Sequence, residues 1–257
     1  MQKLWDEKAL FLHRVLGGQV RLVGGCVRDY LRHQKFHDRD MATPLTPDEV
    51  VACLEKHHIP YLEIGRVFGT IVAKVKGTPF EITTLRKDIQ TDGRHAVVGF
   101  TKSWATDARR RDFTINALYA DVTGRVYDYT GGLDDLQHKR LRFIGNPKRR
   151  MQEDYLRLLR YFRFWGQMGG RVVPFEIQCV LPLIIPCLHT LSEDRRRDEL
   201  FKIVTGPRAQ TVLTVMKKLD VLTEALTTIH FSKKQRKIIV EKRLEKMLAT
   251  FGFSDYK

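Results

Sequence analysis

The sequence predicts an α+β fold in two parts: a mixed head followed by a basic, wholly helical module. Three observations carry this. Up to about residue 145, short β-type runs alternate with helical periodicity, and beyond it strand signals nearly vanish. The most apolar stretch, 180–191, is short and broken by Pro182 and Pro186, so no segment reads as a membrane span. One β-type run ends on Gly24-Gly25 and passes straight into helical sequence, as a loop built for close backbone approach does.

Taken in order, residues 3–16 read as an amphipathic helix marked by Leu4, Leu10, Phe11 and Val15. Val20 to Val23 is a strand, and Val27 to Leu31 resumes helical sequence. Thr46-Pro47-Asp48-Glu49 opens a helix, with Thr46 as N-cap and Glu49 closing a capping box. Ile71 to Val75 and Phe80 to Leu85 alternate around Gly77-Thr78 as a hairpin. Residues 86–104, polar and poor in periodicity, are expected as a mobile loop. A helix is expected over 107–119, a strand over 125–129 and a turn at Gly131-Gly132. Helices follow over about 151–168, 193–204, 208–219 and 233–250, punctuated by Pro174, Pro182, Pro186 and Gly206-Pro207.

The 257 residues carry 45 Lys plus Arg against 30 Asp plus Glu, a net charge of +15. That excess favours a polyanionic partner, nucleic acid or an anionic membrane. From Lys139 to Arg171 there are ten basic residues and two acids, so the excess lies mostly in the helical half. Cys26, Cys53, Cys179 and Cys187 are widely spaced, with no zinc-type spacing, and fit a reducing cytosol. Trp5, Asp6 and Glu7 interrupt the stretch where a signal peptide would need an apolar core, so a cytoplasmic location is expected.

Three segments carry chemistry. In Leu22 to Asp29, Gly24-Gly25 would let backbone N–H groups approach an anion, and Arg28 could add a charge-assisted bond to a phosphate. A plain tight turn is the commoner meaning of Gly-Gly. Asp38 and Asp40 sit at i and i+2, so an extended backbone puts both carboxylates on one face and Arg39 on the other. Such a pair supplies hard oxygen ligands for Mg²⁺, although a D-x-D also arises in polar loops. Glu81, on the expected hairpin, could face the pair as a third carboxylate or simply face solvent. In Arg109-Arg110-Arg111-Asp112, at most one or two guanidiniums can share a face, and Arg111 could pair with Asp112. Asp154, Arg157, Arg160 and Arg163 recur every three residues, as neighbours along one helix. That spacing fits a salt-bridged face. It also fits an Asp acceptor beside an Arg donor, which would accept the Watson–Crick edge of cytosine or adenine and reject guanine and uracil.

These segments, in this order, closely resemble the class II tRNA nucleotidyltransferases, the CCA-adding enzymes, with which bacterial poly(A) polymerase shares a family. The resembling motifs are Leu22 to Asp29, Asp38-Arg39-Asp40-Met41-Ala42-Thr43, Glu81 to Arg86 and Asp92-Gly93-Arg94-His95-Ala96. They continue with Arg110 to Ala117, Asp128 to Leu136, Glu153-Asp154 with Arg157 and Arg160, and Ser192 to Leu200 with Arg195 and Glu199. The resemblance implies a DNA polymerase β-like nucleotidyltransferase head (1–140), a helical neck with a nucleotide-selecting template (141–205) and a reduced, basic, RNA-binding body (206–257). It implies template-independent addition of CCA to the 3′ end of a tRNA lacking it, from CTP and ATP, on two Mg²⁺ ions. No membrane and no obligate protein partner are expected. Carried over by position, Asp38 and Asp40 would bind metal, with Glu81 a further catalytic candidate. Gly24, Gly25 and Arg28 would meet the triphosphate, and Arg111, Asp112 and Asn116 would hold the nucleotide. Asp154 and Arg157 would read the base, assisted by Arg160 and Arg163. The other readings are CC-only or A-only addition, poly(A) synthesis, or an inactive RNA-binding module. The basic residues Lys233, Lys234, Arg236, Lys237, Lys242, Arg243 and Lys246 read by default as a solvated helix face, and could instead grip RNA phosphates.

Overall fold

The computed structural model of the chain describes residues 3–91, 96–227, 229–241 and 244–253. The chain forms two compact units, Met1–His138 with Arg142–Ile144, and Lys139–Leu141 with Gly145–Lys257.

Among its described residues, unit 1 has nine strands: β1 Arg21–Val23, β2 Met41–Thr43, β3 Tyr61–Gly65, β4 Thr70–Val75, β5 Thr78–Thr84, β6 Arg86–Thr91, β7 Ala96–Phe100, β8 Leu118–Ala120 and β9 Val126–Asp128. Seven of them make one sheet in the order β3-β4-β5-β2-β1-β8-β9. Only β2 and β5 pair parallel. Five helices accompany them: α1 Glu7–Val15, α2 Gly25–Leu31, α3 Pro47–Lys56, α4 Trp104–Arg110 and α5 Gly132–Gln137. On one sheet face, Leu12 and Val15 of α1 and Val50 and Leu54 of α3 pack on Ile71, Ala73, Phe80 and Ile82. On the other, Val23, Ala42 and Leu85 meet Ala108, Ala117 and Tyr119.

Local signals in the sequence account for these elements. The Asp6 carboxylate accepts from Ala9 N at 2.9 Å and starts α1. Thr46 and Glu49 close the expected capping box on α3. The β4–β5 hairpin turns on Lys76-Gly77, both at positive φ (47° and 79°), the geometry that matches the right-handed twist of the paired strands.

Two expectations in unit 1 fail. Residues 86–104 are no irregular loop: β6 and β7 pair antiparallel as a two-stranded ribbon, from Arg86↔Phe100 to Thr91↔Ala96. Backbone pairing needs no apolar alternation, and neither the polar β6 nor the apolar β7 shows one. The loop motif Asp92 to His95 lies outside the described residues. The helix expected over 107–119 ends at Arg110, because Arg111 is extended (φ −66°, ψ 163°), and Leu118–Ala120 enters the sheet between β1 and β9. Six buried residues in a row, Asp112 to Ala117, blur the helical and strand periods in this segment.

Unit 2 is helical: α6 Pro147–Glu153, α7 Leu156–Gln167, α8 Phe175–Gln178, α9 Leu181–Ile184, α10 Glu193–Val204, α11 Ala209–Lys218, α12 Val221–Leu226, α13 Lys233–Glu241 and α14 Glu245–Thr250. α7 buries Leu158, Leu159, Phe162 and Trp165, and α10 and α11 both pack on it. The helix expected over 151–168 is broken at Asp154 (φ −159°, ψ 107°). The one expected over 233–250 is two helices, and its Lys242 and Arg243 lie outside the described residues. No described helix is long and apolar enough to cross a membrane.

Candidate active site

The end of β1 sets the site. Gly24 follows Val23 at φ 75°, a conformation that only glycine adopts without strain, and its N–H donates to the Leu118 carbonyl at 3.1 Å. A Cβ on Gly24 would lie 3.7 Å from both Arg111 Nη1 and the Asn116 carbonyl oxygen, so the turn sits directly against these two residues.

Arg28, one turn into α2, is 6% exposed. Its Nε and Nη2 donate to the two carboxylate oxygens of Asp29 at 2.9 and 2.8 Å, and its Nη1 donates to Asn116 Oδ1 at 2.7 Å. Asn116 in turn donates to Asp112 Oδ1 at 3.1 Å, and the Phe113 N–H donates to the same oxygen at 2.8 Å. Arg28, Asp112 and Asn116 therefore form one buried network behind Gly24, with most of Arg28's donors committed to protein.

The Asp pair lies just before the neighbouring strand, β2. Val23 N donates to the Asp40 carbonyl at 2.9 Å, and the parallel pairs Met41↔Ile82 and Ala42↔Thr83 place Glu81 beside Asp40. Met41, Phe80 and Ile82 point into the core under α1 and α3, so Asp40 and Glu81 project from the opposite face. Asp38, Asp40 and Glu81 are exposed, and among the described residues none of their carboxylates has a hydrogen-bond or ion-pair partner. The surrounding protein, then the charges of Glu81 and Asp38, push the Asp40 carboxyl up to about 6, with Arg111 pulling the other way. Behind it the Cys26 thiol is buried, donates to the Val23 carbonyl at 3.4 Å and is pushed up to about 12 by burial and by Asp40. It stays a neutral wall. Glu81 neighbours the pair but completes no cluster: among the described residues no three His, Cys, Asp or Glu side chains gather as a metal site. Mutually repelling, unpaired carboxylates are a donor set short of positive charge, and that fits a hard divalent cation held by few protein ligands.

Arg111 is held by Asp107, four residues before it. Its guanidinium donates to Asp107 Oδ2 (3.1 Å from Nη2) and to the Tyr119 hydroxyl (3.1 Å from Nε). Arg110 reaches the other oxygen of Asp107 at 2.8 Å, while Arg109 is exposed. Asp107 is fully buried. Burial alone would raise its pKa, but Arg111, Arg110 and the Tyr119 hydroxyl at 2.6 Å outweigh it and hold the carboxyl at about 2. Asp107 and Tyr119 were not singled out in the sequence. The readable signal was the i, i+3 and i, i+4 spacing from Asp107 to Arg110 and Arg111.

In unit 2 the expected stripe is rearranged. Asp154 lies between α6 and α7, where its Oδ1 accepts from Leu156 N at 3.1 Å and its Oδ2 accepts from Arg195 Nη2 of α10 at 2.8 Å. Arg157 turns to Glu153 (2.7 Å) and to the Arg150 carbonyl (2.8 Å). Asp154 and Arg157 thus stand one helical step apart, each held by a different partner. Arg163 pairs with Glu199, which is 2% exposed, and Arg160 lies over the Phe164 ring at 5.5 Å.

Residues 20–142 match the family described as the poly A polymerase head domain. The chain is 40% identical over 206 residues to human CCA tRNA nucleotidyltransferase 1, mitochondrial, covering 79% of this chain and 48% of the human protein. It is 37% identical over 212 residues to the CCA-adding enzyme of Levilactobacillus brevis, covering 82% of this chain and 51% of that one. The crystal structure of the Bacillus stearothermophilus CCA-adding enzyme in complex with CTP superposes with a TM-score of 0.81 at 27% identity, over 99% of this chain and 64% of that chain. The chain spans about half the length of the curated relatives it matches. With the glycine turn, the strand-end Asp pair and the Glu153-Asp154 segment all present in a fold shared with these enzymes, the chain belongs to the class II CCA-adding and poly(A) polymerase family.

Proposed function

We propose that the chain adds CCA to the 3′ end of tRNA, without a nucleic-acid template, from CTP and ATP. The observation that carries this reading is the exposed carboxylate pair of Asp38 and Asp40 beside the Gly24 turn, without a hydrogen-bond or ion-pair partner among the described residues, whereas the buried Asp107, Asp135 and Glu199 are each paired with an arginine.

Asp38 and Asp40 would hold Mg²⁺, which when bound supplies charge neutralisation at the transferring phosphate and lowers the pKa of the RNA 3′-hydroxyl. Gly24 and Gly25 keep side chains away from the triphosphate path. Arg28, clamped by Asp29 and Asn116, fixes the shape of that turn and adds positive potential behind it. Arg111, steadied by Asp107 and Tyr119, contributes a pre-oriented cation near the same turn, so little reorganisation is needed when the leaving pyrophosphate gains charge. Asp154 offers an acceptor and Arg157 a donor to the Watson–Crick edge of an incoming C or A. Their separate partners, Arg195 and Glu153, would set the two groups independently, with Arg160 and Arg163 buttressing α7. The basic α13 would contribute phosphate contacts. Four free cysteines fit a reducing compartment, and cytoplasmic tRNA maturation is the proposed setting.

The test is incubation with tRNA lacking CCA, supplying each triphosphate alone and then CTP with ATP. Full CCA addition supports the reading. CC alone, A alone or a long A-tail would assign another activity of the same family, and no incorporation would leave a binding module.

A further inference from the structure

A second cationic feature lies on the helix-covered face of unit 1. There α1, the segment after α3 and the β4–β5 turn border an open cavity of about 570 Å³. It is separate from the carboxylate site: Phe80 and Ile82 face the core under α1 and α3, whereas Glu81 projects from the opposite sheet face.

Lys8, Arg14, His57, His58 and Lys76 line it, with Glu7 the one acid among the lining residues. Lys8 is committed, donating to Thr78 Oγ1 at 2.5 Å and to the Lys76 carbonyl at 3.3 Å. Arg14 and Lys76 are exposed, and among the described residues neither side chain has an acidic partner. The wall includes Phe11, at 36% exposure, with Ile59 and Val75. Two lining residues, His58 (φ 53°) and Lys76 (φ 47°), occupy the left-handed region. His58 does so just after α3, where Ile59 N donates back to the Leu54 carbonyl at 2.9 Å in a helix-ending turn that favours glycine. A side chain is therefore kept on this rim at a conformational cost.

Unpaired cations around an exposed aromatic ring, in a cavity of ligand size, are the chemistry that takes a phosphate and a base together. We infer that this cavity binds a nucleotide, free or as part of an RNA strand, with its phosphate on Arg14 and Lys76 and its base on Phe11. The site is independent of the catalytic reading, and so is its test.

The experiment records ¹H–¹⁵N correlation spectra of the full chain titrated with adenosine 5′-monophosphate and, separately, with a single-stranded RNA trinucleotide. Saturable shifts are expected at amides 57–59 and 76–78. Arg14→Ala with Lys76→Ala should weaken that response at least tenfold, and Phe11→Ala should weaken it independently. Shifts at amides 25–28 report the catalytic turn separately and should persist in these variants. Saturation by the mononucleotide identifies a free-nucleotide site; tighter binding of the trinucleotide identifies an RNA-strand site. The inference is overturned if neither probe moves amides 57–59 and 76–78 at millimolar concentration, or if the double variant keeps wild-type affinity.

Discussion

Two sets of carboxylates, one at the end of β2 and one in unit 2, are treated in opposite ways. At the open end of β2 and along β5, Asp38, Asp40 and Glu81 face solvent with no protein cation paired to them among the described residues, and the surrounding protein, then repulsion from Glu81 and Asp38, raises the Asp40 pKa. In unit 2, Glu153, Asp154 and Glu199 are each taken by an arginine. Asp107 shows that unit 1 can also pair a carboxylate completely when it serves to hold arginines. A paired carboxylate fixes geometry, whereas an unpaired cluster costs stability and makes sense where a cation from outside completes it.

The largest expected effect is on Asp38. Replacing it by Ala should lower nucleotide incorporation on the order of a thousandfold, about 4 kcal/mol of transition-state stabilisation, with the circular dichroism spectrum unchanged. Glu81→Ala should cost far less, roughly tenfold, because Glu81 neighbours the pair without completing a cluster. Equal losses at both positions, read by single-turnover incorporation, would make Glu81 a full ligand and erase the distinction drawn here.

Asp107 sits on the other side of the comparison. Asp107→Ala would leave Arg111 and the Tyr119 hydroxyl without their shared acceptor, a loss of about 3–5 kcal/mol that thermal unfolding would detect. The pH dependence has a definite sign. With the folded pKa held at about 2, below the ordinary 3.8, Asp107 stabilises fully above the ordinary value, and that contribution disappears as pH falls towards 2. Asp107→Asn should therefore flatten the acid limb of stability between those values. An unchanged limb would show that the ion-pair cluster is not what holds Asp107.

Arg195 offers a smaller and more selective effect. Its side chain is 44% exposed, so Arg195→Ala should change stability by no more than about 1 kcal/mol. If Arg195 orients Asp154, discrimination of CTP over UTP should still fall, by roughly tenfold, and Arg195→Lys should restore part of it. Wild-type discrimination in the Ala variant would place Arg195 outside base selection. Smallest at any single residue is the basic surface. Binding of tRNA should weaken steeply with salt, and Lys233→Ala should lower the salt slope by about one charge.

Features that rest on local chemistry were legible in the sequence. The capping box at Thr46, the hairpin and the Gly24 turn depend on neighbouring residues, and each stands where its residues indicate. Partner choice was not legible. Arg111 takes Asp107 and the Tyr119 hydroxyl, the latter brought from β8, and Asp154 takes Arg195, 41 residues away, because it lies outside the helix. The β6–β7 ribbon was missed because its pairing is carried by backbone groups, which leave no periodic pattern in the sequence. Family likeness named the candidate residues, but the hydrogen bonds around them exist only in three dimensions.

Asp40→Asn tests the central claim most directly, because it removes the charge of the open pair while keeping its shape. Single-turnover CMP incorporation into tRNA lacking CCA, measured with the melting temperature of the same sample, is the decisive reading. Incorporation should fall to background at a melting temperature equal to or above wild type, since the lost charge relieves repulsion from Glu81 and Asp38. Incorporation near the wild-type rate would contradict it.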